Sequence, residues 1–384
     1  MSHTITIFGQ MLQLNSRHDF QRIVNQHKGD YRVRKLSCWD QYVHLLYAQT
    51  GARDSLRDIT NGTSSLKEKF YHLGAKPAKR STLSDANNKR SWEIYRDVFF
   101  NTLSKVQNVA PKYKLKLPRK LYLMDSSTIS LCLSLFPWAD FRQKKGAIKI
   151  HTLLQADGVL PTFLNITTGK IHDAKAAKNI PIPKDCFLAI DRAYHDFESY
   201  NYYNNNNIKF VIRMKSNAVY DVVETRKIDE STGILADEII LFQNKVTRNK
   251  YPNQLRKVTY QDPETGKTYV FLTNEFDLDA KMIADIYKAR WEIELFFKAI
   301  KQNLKIRTFV GTSKNAVMTQ IYIAMVAYLL LSYYKFKLKS QFSFQALRRL
   351  FQINLFERKS LIDLVKYGGA KTKEPPIYKQ LVLI

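Results

Sequence analysis

The chain has 384 residues, 45% of them hydrophobic and 12% aromatic; this is enough for two or three domains with a substantial core, and it excludes a mainly disordered chain. Its 61 Lys and Arg against 34 Asp and Glu leave a formal charge of +27, spread over most of the chain, so a polyanion is the expected partner, nucleic acid rather than a membrane because no basic amphipathic anchor stands out. Cys38, Cys132 and Cys186 are widely spaced without CxxC or Cys/His clustering, which excludes a disulfide framework and a zinc site, and with no signal-peptide pattern in MSHTITIFGQ a cytosolic, bacterial nucleoid-associated placement is expected.

Residues 1–75 read as short helices separated by polar turns. Capping-box pairs are expected at Ser16/Asp19, Ser37/Asp40 and Ser65/Glu68. Apolar residues at helical spacing follow the first two of these pairs, and Arg53, Arg57, Lys67 and Lys69 suit a DNA-binding head, with a generic helical cap as the equal alternative. Residues 76–118 are basic: KPAKRSTLSDANNKRSW reads as a linker or exposed DNA-contacting arm, a helix follows near Glu93 to Val106, and PKYKLKLPRK leads to the next element.

From residue 119 the texture becomes that of strands. LYLMD, TISLCLSLF, IKIHTLLQ and LPTFLNIT are expected as adjacent strands; a helix in GKIHDAKAAKNI, a strand at CFLAID, a Tyr- and Asn-rich helix or loop and a strand at IKFVIRMK complete residues 119–214. Strands followed by strands alternating with helices imply an α/β fold with a mixed sheet. Residues 215–276 offer YDVVETRK, EIILFQN, LRKVTYQ and KTYVFLTN, a β-rich antiparallel insertion. From about Asp279 to Leu304 the chain lacks Gly and Pro and reads as one long helix, within a segment at 277–340 that also holds an apolar helix at 316–336, expected to be a buried core element rather than a membrane span. A basic tail occupies 341–384.

Asp125 ends the apolar run LYLMD and Asp191 ends CFLAID. Carboxylates at the carboxyl ends of buried strands project into the crevice above an open α/β sheet, although either residue alone could be a turn former or helix cap. With Glu294 on a helix that can pack beside the sheet, the three suggest a carboxylate cluster. Such a cluster needs a cation, and oxygen ligands without His or Cys favour Mg²⁺ or Mn²⁺. On a chain of charge +27 the chemistry that uses such a site is phosphodiester cleavage with two ions. On the same helix Tyr287, Arg290, Glu294 and Lys301 fall in a line, which spacing alone reads first as the ion-paired, solvated face of an ordinary amphipathic helix. His172 and Asp173 could stand behind the site, with Asp173 equally a helix cap, and His151 reads as a satisfied sheet residue.

The spacing Tyr287, Arg290, Glu294, Lys301, embedded in YKARWEIELFFKAIKQNL, resembles the Y-R-E-K motif of the IS-four family of bacterial insertion-sequence transposases, enzymes with a DDE site on a ribonuclease-H-like core. The resemblance extends through DSST at Asp125 and DRAYHDF at Asp191, where Ala193 replaces a glycine frequent in relatives. It implies a ribonuclease-H-like mixed-sheet core interrupted by a β-rich insertion, with an N-terminal helical domain. It also implies that Asp125, Asp191 and Glu294 are catalytic metal ligands and that Arg290 and Lys301 bind phosphates while Tyr287 positions the backbone. Trp291 is a further DNA-contact candidate, though packing into the fold is the favoured role, and Tyr260, Tyr269 and Phe271 are candidates for stacking on a flipped base, with core packing the favoured role of each taken singly. The implied activity is cut-and-paste transposition through a hairpin intermediate and strand transfer, on terminal inverted repeats and target DNA, by a homodimer. The alternatives are a ribonuclease-H-like nuclease without strand transfer and a catalytically silent DNA-binding regulator. No Walker, GxSxG or HExxH motif supports other chemistry.

Overall fold

The computed structural model describes residues 5–142, 145–304 and 309–368. The chain forms two compact units, Met1–Ala110 with Ala299–Ile384, and Pro111–Lys298.

The first unit is helical. Its opening part holds α1 (Ile7–Leu12), α2 (Arg17–Gln26), α3 (Cys38–Thr50), α4 (Leu56–Ser65), α5 (Lys67–His72), α6 (Arg80–Lys89) and α7 (Glu93–Gln107). Polar side chains start several of these by accepting otherwise orphaned N–H groups. Ser16 Oγ accepts from the Asp19 amide at 3.1 Å, and Ser37 with Asp40 forms a full reciprocal capping box. The third expected box is absent. Ser65 is the last residue of α4, its hydroxyl donates back to the Gly62 carbonyl at 2.9 Å, and Leu66 precedes α5 without a side-chain cap. The cap in this region is Ser55, which accepts from the Asp58 amide at the start of α4. Within the basic stretch expected as a linker or arm, Arg80–Lys89 fold as α6 and bury Leu83, Ala86 and Asn87.

The second unit is built on a sheet: β1 (Leu121–Leu131), β2 (Asp140–Arg142), β3 (Lys145–Gln155), β4 (Leu160–Thr168), α8 (Asp173–Ala177), β5 (Phe187–Ile190), α9 (Phe197–Asn205), β6 (Lys209–Arg213), β7 (Tyr220–Thr225), β8 (Ile234–Phe242), α10 (Lys245–Lys250), β9 (Leu255–Gln261), β10 (Thr268–Thr273), α11 (Ala280–Lys288) and the beginning of α12 (Trp291–Asn303). β4, β3 and β1 pair antiparallel, then β1, β5 and β6 run parallel. The order β4-β3-β1-β5-β6 with that change of sense is the mixed α/β arrangement of a ribonuclease-H-like sheet. The β-rich segment is antiparallel, as its turns suggested, and it continues the same sheet: β10 pairs with β6, and β9, β8 and β7 follow outward.

Two sequence expectations are corrected in this unit. LYLMD and the beginning of TISLCLSLF are one strand, so Asp125 lies within β1, where the apolar run ends but the ladder with β3 continues to Leu131. The switch from apolar to polar residues marked a change in what the strand faces, not its end. The helix expected from Asp279 to Leu304 is two helices, α11 and α12, broken at Ala289 and Arg290. Tight bonds from Arg290 N to Tyr287 O (3.0 Å) and from Ile293 N to Arg290 O (3.1 Å) carry the chain through the break. Propensity gives no reason for a break there; it falls at Arg290, whose side-chain bonds are described below.

The chain returns to the helical unit with α13 (Lys314–Lys337), α14 (Phe344–Asn354) and α15 (Leu361–Tyr367). α13 is long and apolar enough to cross a membrane, yet it is buried against α3, α6, α7 and α14 as the expected core helix. Of the expected basic tail, α14 and α15 pack against α1, while residues 369–384 lie outside the described residues.

A charged pair inside the sheet gives a stability test. Arg256, only 2% exposed, donates through Nε and Nη2 to the two oxygens of Asp237, each at 2.8 Å. Removing one member strands the other charge, so Asp237→Ala should lower unfolding free energy by ~3–5 kcal/mol in denaturant titration. Glu198→Ala, which breaks a solvent-exposed pair with Lys178, should leave the denaturation midpoint nearly unchanged.

Candidate active site

β1 and β5 run side by side in parallel, with Met124 opposite Ile190. The next residue on each strand is an aspartate, so this register alone brings Asp125 and Asp191 to one level of the sheet. Asp125 accepts from the Ser126 amide at 2.7 Å. Asp191 caps the 3₁₀ turn Arg192–Tyr194 by accepting from the Ala193 amide at 2.9 Å. Ala193 sits in that turn without a left-handed φ, so the alanine that departs from the glycine of relatives fits.

The third carboxylate comes from the first turn of α12, and one guanidinium ties the set together. Arg290 Nη1 donates to Asp125 Oδ2 at 2.8 Å and lies 4.0 Å from Asp191 Oδ2, while Nη2 donates to Glu294 Oε1 at 2.6 Å. Arg290 is largely buried, and its Nε has no hydrogen-bond partner among the described residues. Tyr287, one turn back on α11, packs its ring against Phe271 at 4.7 Å and lies under the Arg290 guanidinium at 5.7 Å.

The electrostatics of the cluster are asymmetric. Burial pushes the Asp125 carboxyl up to about 6; the pull of Arg290 and the Ser126 amide opposes this, and the nearby Asp191 and Glu294 charges add to it. Arg290 is held more firmly charged than usual: burial works against its charge, but Asp125, Tyr287 and Glu294 together outweigh it. The two members of this ion pair therefore gain unequally. Three carboxylates share one guanidinium, so the cation is fully compensated while negative charge is left over. Burial raises the Tyr287 hydroxyl as well, against a lowering influence from Arg290, so it stays a neutral donor.

Asp125, Asp191, Glu294, Arg290 and Tyr287 thus meet in one place. Trp291, favoured from sequence as a packing residue, is instead 59% exposed, because the break turns the first residue of α12 outward. Lys301 lies two turns beyond Glu294 on α12, in the segment from Ala299 that belongs to the helical unit. Of the three aromatic candidates, Phe271 is buried under Tyr287, and Tyr260 is buried with Lys281 over its ring at 5.5 Å. Tyr269 is half-buried, parallel to Phe271 at 6.2 Å, and carries Arg213 over its face at 5.2 Å.

Behind Asp125 lies a polar network that sequence reading only touched. Asp173 is the first residue of α8 but does not cap it; its Oδ1 accepts from Ser126 Oγ at 2.6 Å and its Oδ2 from Lys149 Nζ at 3.0 Å. His151, wholly buried, lies 3.1 Å from the Tyr194 hydroxyl through Nδ1 and 3.1 Å from Thr167 Oγ1 through Nε2. It is a satisfied sheet residue, as expected, and burial drives it down to about 4 despite Asp173, with Lys149 assisting the fall. Ser126, Lys149 and Tyr194 went unremarked from sequence; DSST and DRAYHDF contain two of them, but nothing local reveals that they meet.

The donor set of the cluster, carboxylate oxygens without nitrogen or sulfur, suits a hard divalent cation, and its surplus negative charge calls for one. Among the described residues no three His, Cys, Asp or Glu side chains close around a common point as they stand, because the Arg290 guanidinium occupies the middle. An open cleft of about 730 Å³ in the helical unit, lined by Arg57, Arg80, Ser55 and Ser84 among others, contains none of these groups.

Comparison with known proteins agrees with this geometry. The family described as Transposase DDE domain matches residues 116–330, and one described as a domain of unknown function matches residues 3–76. A "Probable transposase for insertion sequence element IS5377" of Geobacillus stearothermophilus is 29% identical over 79% of this chain and 84% of its own length. Transposase y4zB, as it is named in Sinorhizobium fredii, is 32% identical over 65% of this chain and 69% of its own. A cryo-EM structure of a piggyBac transposase synaptic complex with hairpin DNA aligns over 92% of this chain and 80% of its own at 12% identity and a TM-score of 0.44, so the strand order, not this likeness, carries the fold. With the family matched across the whole sheet unit and all three carboxylates inside that match, the chain belongs to the DDE transposase family.

Proposed function

We propose that this chain is a cut-and-paste transposase of the Y-R-E-K subgroup, with Asp125, Asp191 and Glu294 as the ligands of Mg²⁺ or Mn²⁺. The observation that carries the reading is the convergence of these carboxylates, from two adjacent parallel strands and a helix, on one guanidinium. When bound, two such ions supply an activated water and neutralise the oxygen that leaves the cut strand. The chain's own residues supply the rest. Arg290, with a planar fork, and Lys301, a point charge, hold phosphates of the DNA end, and the neutral Tyr287 hydroxyl donates to the backbone. Trp291 presents an exposed ring for stacking on a base. In the helical unit, the cleft with Arg57 and Arg80 offers a second place for phosphates, though Asp54 and Asp85 share its lining.

In the reaction as proposed, hydrolysis of one phosphodiester at the element's end frees a 3′-hydroxyl. That hydroxyl attacks the opposite strand, displacing its oxygen to form a hairpin; hydrolysis reopens the hairpin, and the 3′-hydroxyl then attacks target DNA. Two ends joining one target favour a homodimer on double-stranded DNA. A nuclease without strand transfer and a silent DNA-binding regulator are the competing readings. Carboxylates gathered at a phosphate site would only weaken a pure binder, which counts against the regulator.

Labelled element ends incubated with protein and Mg²⁺ decide among these readings. Asp125→Ala, Asp191→Ala and Glu294→Ala should each lose cleavage by more than the ~10–100-fold typical of an outer-shell partner while still shifting the DNA in a gel. Cleavage that persists in all three sinks the assignment, and cleavage without joined product in the wild type supports the nuclease.

The charge surplus gives an independent test on metal-free protein. Folded Asp125 keeps its proton up to about pH 6, whereas the unfolded chain releases it near the ordinary 3.8. Between those values the folded state binds more protons, so stability falls as pH rises, and the penalty is complete above about 6. Asp125→Asn escapes it and should be more stable than wild type at pH 8 by on the order of 2–3 kcal/mol, with the gap closing towards pH 4. Mn²⁺ should raise the melting temperature of the wild type more than that of Asp125→Asn.

A further inference from the structure

The reactive carboxylates face one side of the sheet, and the network behind them faces the other. Alternation along β1 puts Asp125 and Ser126 on opposite faces. Met124, two residues before Ser126, packs in the hydrophobic cluster that also contains Leu188, Ile190 and Tyr194, so Ser126 points towards that same layer. There it meets Asp173 from α8, and its cross-strand partner in β3 is His151.

The protons of this network can be placed consistently. Ser126 donates to Asp173 Oδ1 at 2.6 Å, and the Tyr194 hydroxyl meets the His151 ring. Neutral His151 then carries its proton on Nδ1, directed at the Tyr194 oxygen at 3.1 Å and Asp173 Oδ1 at 3.4 Å, and Nε2 accepts from Thr167 at 3.1 Å. Lys149 offsets the Asp173 charge at 3.0 Å. Both oxygens of Asp173 are engaged and its charge is paired, so it is not placed as a fourth ligand.

Its two ends reach the two aspartate backbones. Ser126 supplies the amide that Asp125 accepts from, and Tyr194 closes the 3₁₀ turn whose Ala193 amide holds Asp191. Resting on the assignment of Asp125 and Asp191 as metal ligands, we propose that Asp173 is a positioning residue: through Ser126 on one side and Tyr194 on the other it fixes the separation and orientation of both aspartates. A hydroxyl network of this kind is directional, whereas the apolar packing around it holds volume but not carboxylate angle.

Mn²⁺ binding to the full chain without DNA, followed by the loss of the free-ion paramagnetic resonance signal, tests this apart from catalysis. Asp125→Ala serves as the site control and should abolish binding. Asp173→Ala and Ser126→Ala should each weaken Mn²⁺ affinity ~10–100-fold, and Tyr194→Phe should weaken it in the same direction. Asp173→Asn, which keeps an acceptor for Ser126, should recover part of the loss. Asp237→Ala, which destabilises the sheet far along its strands, should leave Mn²⁺ affinity unchanged and so separates positioning from stability. Should Asp173→Ala fail to fold, Ser126→Ala and Tyr194→Phe, each lacking one hydroxyl, carry the decision. Wild-type Mn²⁺ affinity in these folded variants overturns the positioning role. A wild type that does not bind Mn²⁺, or an Asp125→Ala that binds it normally, overturns the ligand assignment and the proposal with it.

Discussion

Three carboxylates held close together inside a protein repel one another, and much of the sheet unit is arranged around that constraint. The register of β1 and β5 makes the approach of Asp125 and Asp191 unavoidable, and α12 adds Glu294. Arg290 relieves part of the repulsion, enough to keep the group folded but not enough to neutralise it. A stably neutral cluster would have no use for another cation. This one stays unsatisfied, a condition shared by sites that recruit cations.

The same constraint explains why the surroundings are so heavily bonded. Apolar side chains around β1 and β5 exclude water, which strengthens each electrostatic interaction and also raises the cost of leaving a carboxylate loose. Backbone amides hold one oxygen of each aspartate, and the hydroxyls behind hold the backbone. Phe271, from the strand that attaches the β-rich segment to the core, backs Tyr287. That segment therefore serves the site directly as well as extending the sheet.

Much of this was legible in the chain and some was not. Apolar runs ending at Asp125 and Asp191 carried a mixed α/β sheet, and the resemblance borne by the spacing of Tyr287, Arg290, Glu294 and Lys301 implied the ribonuclease-H-like core and the three carboxylates, because both signals are local. What failed depended on distant partners. The continuation of β1 past Asp125 is stabilised by its ladder to β3, which the polar residues of DSST conceal. Ser65 matched a capping pattern, but α4 runs through it and Leu66 takes the N-cap position of α5. Asp173 read equally as a cap or a support; only the fold, which sets Ser126 and Lys149 beside it, separates the two.

The interruption at Ala289 and Arg290 also changes the field at the site. An unbroken helix from Ala280 to Asn303 would have placed Glu294 in mid-helix, where backbone dipoles cancel along the axis. Ending α11 and starting α12 at Trp291 creates a fresh helix start, with Glu292 and Glu294 in its first turn and the positive end of a 13-residue macrodipole beside them. The break thus contributes a fixed partial positive charge, supplied by the backbone and insensitive to pH. It stands beside the Glu294 side chain whatever the Arg290 guanidinium contacts.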